Sequence, residues 1–489
     1  MFRGCTILDE ILNKLRAEWL DEATIQSMQE KMQNGELTAE ELALMYMENI
    51  SQRNPNINAV LELNPQALQI AKGLDTERLK HGARSLLHGI PVLLKDNIGT
   101  KDMMHTSCGS LALKHFYATE DAFLVRKLRA AGAVIIGKTN MTEWANFMSD
   151  QMTNGWSSRG GQVKNPYGFF DVGGSSSGAG AGIAANMAAV AIGTETTGSI
   201  LNPSSQNSLV GIKPTVGVIS RTGIIPISHT QDTPGPMART VEDAAIVFGL
   251  MAGFDSEDPV TQIPFDFSEI DWHKVLDSNA LQGARIGVAR NIFEKEASTE
   301  RLALFDAALQ KLEAAGAIII DNIDLGIMEN DLGYSVLIYE FKAALNAYLG
   351  KTLMTNPIRT LEDVIQFNNE NAVETLKFGQ VMLERAERTS GSLTERAYIE
   401  ALIRNRHLAG GVALGKALEL HDVQALVFPQ DHGCSFGAAA GFPSITVPAG
   451  FSEAGEPFGI TFSGKAYSEP NLISNAYAFE QYVKARRKP

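Results

Sequence analysis

The stretch DVGGSSSGAGAGIAANMAAVAIGTETTGSILNPSSQNSLVGIKPT, residues 171–215, sets the tightest limit on what this chain can fold into. Gly, Ser, Thr and Ala occur in it at the density of a flexible linker. Yet IAANMAAVAIGT within it is too apolar to remain in water, so the segment must be packed. The pattern predicts a small-residue helix running into a strand at Ala189 to Ile192, with side chains small enough for close approach of layers. Ser175, Ser176, Ser177, Ser199 and Ser204 therefore lie among glycines inside a core-forming region.

The flanking sequence supplies the layers. HGIPVLLKDNI holds a short apolar strand, Ile90 to Leu94, that ends in Lys95. DAFLVRKLRAAGAVIIGKTN reads as a helix stopped at Gly132, then a strand from Val134 to Ile136. LFDAALQKLEAAGAIIID repeats that order around Gly316, after a strand at ARIGVAR. Strands alternating with helices predict an α/β fold with helices over both faces of a sheet. The first eighty or so residues read as helical, with a capping box from Thr38 to Glu41. Residues 252–282 are acidic, contain Pro259 and Pro264, and read as a surface connection between two halves. Residues 328–420 read as a helical insertion whose Leu337, Phe341, Leu345 and Tyr348 form a packing stripe. Strands return at ALVFP, SITVPAG and FGITFSG, and a helix from about Asn471 closes the chain. The expected organisation is one domain over 1–489: helical region 1–80, core segment 86–250, connection 252–282 and second half 283–489.

Composition removes several functions. Hydrophobic residues at 44% and charged residues at 20% are the balance of a globular chain with a sizeable core. A net charge of −14 argues against nucleic-acid binding, which needs clustered Lys and Arg. The one basic cluster, KARRKP at the C-terminus, reads as a solvated tail. Cys5, Cys108 and Cys434 are far apart and form neither a disulfide framework nor a CxxC pair, so reduced thiols are expected. Nine histidines include no HxH or HExxH spacing, so no metal is expected. Nothing resembles a signal peptide or a membrane span, and a cytoplasmic location with no membrane partner is expected.

Within the Ser/Gly stretch, GGSSSGAG lacks the Lys and Ser/Thr of a P-loop. A dinucleotide fingerprint fails because Ile183 stands three positions after Gly180. Gly174 to Gly178 does match G-x-S-x-G, the turn that would make Ser176 a nucleophile served by His407, His421 or His432. That reading lacks an HGGG-type oxyanion segment.

The whole constellation points elsewhere. GGSSSGAGAGIAANMAAVAIGTETTGSI resembles the signature of the amidase signature family, and the likeness covers most of the chain. It extends through GIPVLLKDNI, GKTNMTEWANF, GIKPTVGVISRTGIIPISHTQDTPGPMARTVEDAA, AGFPSITVPAGF and SEPNLISNAYAFEQ, in the family's order. GTETTGSI and SHTQDTPGPMART are most similar to the bacterial peptide amidase branch. The resemblance implies the amidase signature fold, a large mixed sheet flanked by helices on both faces. It also implies a Ser-Ser-Lys triad without a cofactor. By position the lysine falls on Lys95, the bridging serine, which follows a non-prolyl cis peptide in the family, on Ser175, and the nucleophile on Ser199. The oxyanion would be received by backbone N–H groups of Thr196, Thr197, Gly198 and Ser199. Ser176, Ser177 and Ser204 then read as local hydrogen-bonding residues.

These residue types suit amide hydrolysis. A serine hydroxyl needs a base, and a free lysine is neutral in only about one molecule in 2,500 at pH 7. Burial behind the IPVLL strand lowers a lysine pKa and makes it a usable base. Three positions depart from common family patterns: Leu201 replaces an Arg, Thr197 a Gly or Asp, and Phe170 an Arg. They weigh against the alternative, a glutaminase-type component of an amidotransferase complex. The expectation is an amidase that takes a small-molecule or peptide amide, C-terminal peptide amides first, and acts as a monomer or homodimer.

Overall fold

The Ser/Gly stretch folds as its side-chain sizes demand. The computed structural model describes residues 10–352 and 356–489, and Ser177–Ala184 is a helix in which every residue is buried. A Cβ added at Gly180 would lie 2.8 Å from the Pro203 carbonyl oxygen, so the helix can sit this close only with glycine there.

The strands are β1 (Val60–Leu63), β2 (Pro91–Lys95), β3 (Val134–Thr139), β4 (Trp156–Ser157), β5 (Gly161–Gln162), β6 (Val190–Glu195) and β7 (Val210–Lys213). They continue with β8 (Thr233–Ala238), β9 (Arg285–Val288), β10 (Ile318–Ile320), β11 (Ala425–Pro429), β12 (Ser444–Phe451) and β13 (Pro457–Ser463). Eleven of them form one mixed sheet in the order β1-β3-β2-β6-β8-β7-β12-β13-β11-β9-β10, with helices on both faces as expected; β4 and β5 make a separate hairpin. β2 lies parallel between β3 and β6, and β6 runs antiparallel to β8. Strands β2, β3 and β6 are buried along their whole length, which explains their nearly unbroken apolar sequence.

Many local expectations are met. Thr38 and Glu41 form the capping box of the helix Ala39–Ile57. The helix Phe123–Ala130 is followed by Gly132 at φ +90°, and the helix Thr299–Ala314 by Gly316 at φ +100°. Residues 335–350 are helical, and Leu337, Phe341 and Leu345 are buried in an apolar cluster with Trp144 and Phe147. Phe341 and Phe147 stack with ring centroids 4.9 Å apart. This cluster joins the helical insertion to the loop after β3.

Three readings need correction, and one strand was not anticipated. The first eighty residues are not all helical, because β1 pairs antiparallel with β3 inside them. β8, with Pro234 and Pro236, gives no strand signal. It pairs with β7 only through Ala238 and Met237, so the prolines occupy a stretch with one open side, where a missing N–H costs little. The KARRKP tail is docked: Arg486 pairs with Glu22 at 2.6 Å and donates to the Ser208 carbonyl at 2.6 Å, because acidic partners await it. The Ser204 hydroxyl hydrogen-bonds nothing among the described residues, being packed against Gly211. Cys5 lies outside the described residues. No helix among the described residues is long and apolar enough to cross a membrane.

Candidate active site

Lys95 ends β2 with its side chain fully buried. Its ammonium nitrogen donates to the Ser175 hydroxyl at 2.8 Å and to the Thr194 carbonyl at 3.1 Å. Burial pulls the amine down from 10.5 to about 7, against the opposing influence of Cys108, Glu195 and Asp232.

Ser175 follows a cis peptide bond from Gly174. Its hydroxyl donates to the Ser199 hydroxyl at 3.0 Å, so Lys95, Ser175 and Ser199 form one continuous chain. The Asn202 carboxamide oxygen takes the Gly174 N–H at 2.9 Å, and its nitrogen donates to Asp431 at 3.0 Å. Ser199 sits in the turn between β6 and the helix Leu201–Gln206. Gly198, immediately before it, has φ +73°, the left-handed region that favours glycine. The N–H groups of Thr196, Thr197 and Ser199 donate to no acceptor among the described residues. Beyond the turn, the buried Glu195 carboxylate accepts the N–H of Ile200 at 2.7 Å and of Leu201 at 3.0 Å. Burial raises its pKa, opposed by the Lys213 charge and by N–H groups that include that of Gly198.

The family model described as Amidase matches residues 41–473. The chain belongs to the amidase signature family. A solved peptide amidase from Stenotrophomonas maltophilia superposes with a TM-score of 0.89 at 43% identity, covering 96% of this chain and 98% of that one. A protein described as a probable amidase from Arabidopsis thaliana is 41% identical over 96% of this chain and 92% of its own. A component of the glutamyl-tRNA(Gln) amidotransferase from Caldanaerobacter subterraneus is 30% identical over 95% of this chain and 97% of its own. The protein is an amidohydrolase acting on amides.

In this amidase the competing nucleophile turn is not assembled. The Ser176 hydroxyl donates to the Thr194 carbonyl at 3.2 Å and takes the Thr194 N–H at 3.3 Å, which ties it to β6. Ser177 is likewise bound, to the Gly173 carbonyl at 2.6 Å. No hydrogen bond links either site serine to His407, His421 or His432, and the His432 ring instead lies 6.0 Å from that of Phe293. Among the described residues no three His, Cys, Asp or Glu side chains gather as a metal-ligating group. Of the departing positions, Leu201 is fully buried, while Thr197 and Phe170 are half-buried.

Sequence reasoning missed the supports of the turn. Glu195 had a signal, an acidic side chain ending an apolar strand. Asp232 had none, since it reaches Thr196 across 36 positions. A small cavity bounded by Asn97, Ala145, Thr194, Thr196 and Asp232 runs beside the turn. It adjoins a cleft of about 370 Å³ whose walls include Phe116, Ile224, Pro226, Ala344 and Tyr348.

Proposed function

We propose that this amidase hydrolyses a carboxamide to a carboxylic acid and ammonia through Ser199, Ser175 and Lys95, with C-terminal peptide amides as the leading substrates. The observation that carries the reading is the unbroken Lys95–Ser175–Ser199 hydrogen-bond chain ending at a buried lysine. With Lys95 neutral, its lone pair accepts the Ser175 proton while Ser175 accepts that of Ser199. The Ser199 oxygen bonds to the amide carbon, and the negative charge moves onto the carbonyl oxygen. Backbone N–H groups of the turn from Thr196 through Gly198 to Ser199 receive that charge. Those of Thr196, Thr197 and Ser199 are free to donate, and that of Gly198 is shared with Glu195. When the C–N bond breaks, Ser175 returns a proton to the departing nitrogen and ammonia leaves. Water then cleaves the Ser199 ester with the same relay run again.

The 43% identity to a peptide amidase along nearly both whole chains supports peptide amides. The lower 30% identity to an amidotransferase component and the buried Leu201 weigh against a glutaminase role. The test is ammonia release by the purified chain from peptide amides, small aliphatic and aryl amides, and glutamine, with intact-mass detection of the acyl-enzyme. Turnover of peptide amides above the rest is expected; activity on glutamine alone would overturn the substrate assignment.

A further inference from the structure

Two carboxylates hold the turn Thr196–Ser199 from opposite ends. Glu195 takes the N–H groups beyond it, and at its start the Thr196 hydroxyl donates to Asp232 Oδ1 at 2.5 Å. Asp232 is itself fixed. Its other oxygen accepts the N–H of Ile227 at 2.8 Å and of Ser228 at 2.9 Å, and its own N–H donates to the Ser228 carbonyl at 3.0 Å.

The same loop is clamped a second time, from the helical insertion. Glu340, fully buried on the helix Ser335–Gly350, accepts the Ser228 hydroxyl, the Thr230 N–H at 3.2 Å and the Thr230 hydroxyl at 3.0 Å. Tyr398, from the helix Arg396–Arg406, donates its hydroxyl to Glu340 at 2.8 Å. His229 Nε2 lies 3.6 Å from the same carboxylate. A buried carboxylate is tolerated only when donors converge on it like this, so the loop and the insertion hold each other in one arrangement.

We propose that Asp232 is a positioning residue for the oxyanion turn and that Glu340 anchors it, so that the helical insertion sets the aim of the Thr196 N–H. Thr196 is β-branched, with few side-chain rotamers. Pinning its hydroxyl therefore restricts its backbone as well, and its N–H, without an acceptor of its own, keeps a fixed direction. An oxyanion donor acts most strongly in the transition state, so loosening it lowers kcat more than it changes KM. The proposal rests on the Ser-Ser-Lys amidase reading above.

The deciding variant is Thr196→Val, which keeps the shape and removes the hydroxyl. On one good amide substrate we expect kcat to fall about 10- to 100-fold with KM within about threefold. Inhibition by a peptide aldehyde, which forms a tetrahedral adduct, should weaken in parallel. Thr196→Ser should restore most of the rate. Asp232→Asn should act on the same axis, and the double variant should be little worse than the weaker single one. Glu340→Gln should lower kcat several-fold. If Asp232→Asn or Glu340→Gln fails to fold, Thr196→Val still decides. A folded Thr196→Val with unchanged kcat, a loss in KM alone, or additive losses overturns the proposal. If those results come from a wild type that is active and a Ser199→Ala that is dead, only this proposal fails. A wild type inactive on every amide, or an active Ser199→Ala, overturns the relay reading and this one with it.

Discussion

The Lys95 ammonium nitrogen stands 2.8 Å from the Ser175 hydroxyl, at the inner end of a chain whose outer end is Ser199. Lys95, the proposed base, is thus separated from Ser199 by one hydroxyl, and it is buried where its own charge is disfavoured.

Ser199→Ala should abolish turnover by several orders of magnitude and leave the melting temperature within a few degrees of wild type. A fluorophosphonate should label wild type at Ser199 and leave this variant unlabelled. Ser176→Ala should keep activity within about tenfold, because it removes only two ordinary hydrogen bonds to Thr194 of β6. Peptide mapping that finds the label on Ser176 would refute the assignment.

The proposed relay acts as a unit, so Ser175→Ala and Lys95→Ala should each cripple acylation. Their combination should be little worse than the more damaged single variant. Single-turnover acylation rates across the four proteins measure this, and multiplying losses would contradict a shared proton path.

Activity should rise with pH. Lysine is charged in its acid form, so at pH values below about 7 the Lys95 amine carries a proton and cannot accept one from Ser175. We expect kcat/KM to climb through about pH 7 and level above it, falling about tenfold per unit on the acid side. His407→Gln, His421→Gln and His432→Gln should keep that profile, whereas Lys95→Ala should be nearly inactive across it. One dead histidine variant beside an active Lys95→Ala would reverse the choice of base.

Gly198→Ala separates stability from function. A Cβ there would meet Cys434 Sγ at 3.4 Å and Asp431 Oδ2 at 3.5 Å, which is tolerable contact. The cost comes from φ +73°, about 1–2 kcal/mol for a residue with a side chain. Thermal unfolding should show that modest loss, while kcat should fall far more, because relaxing φ tilts the neighbouring N–H groups away from the oxyanion. An equal, small effect on both would argue against the turn as the oxyanion site.

The residues proposed to react were readable because they sit in contiguous motifs: Lys95 at a strand end, Ser175 after two glycines, Ser199 in TTGS. Their supports were not, for physical reasons. Asp232 and Glu340 act across 36 and 112 positions, through loops with no periodicity to betray the contact. β8 hid behind two prolines that a one-sided pairing tolerates, and β1 was too short to stand out between helices. Arg486 of the C-terminal tail looked solvated because its partner Glu22 lies at the far end of the chain.

β2 and β6 run parallel, with Val92 opposite Val190, Leu93 opposite Ala191 and Leu94 opposite Ile192. Lys95, the next residue of β2, reaches Ser175 from the end of that ladder. A slip of one residue in β2 would turn every side chain to the opposite face and carry the amine away from the serine. On the proposed relay, turnover by this protein is therefore a sensor of strand alignment: a misregistered chain can be compact, helical and soluble, and it will still hydrolyse no amide.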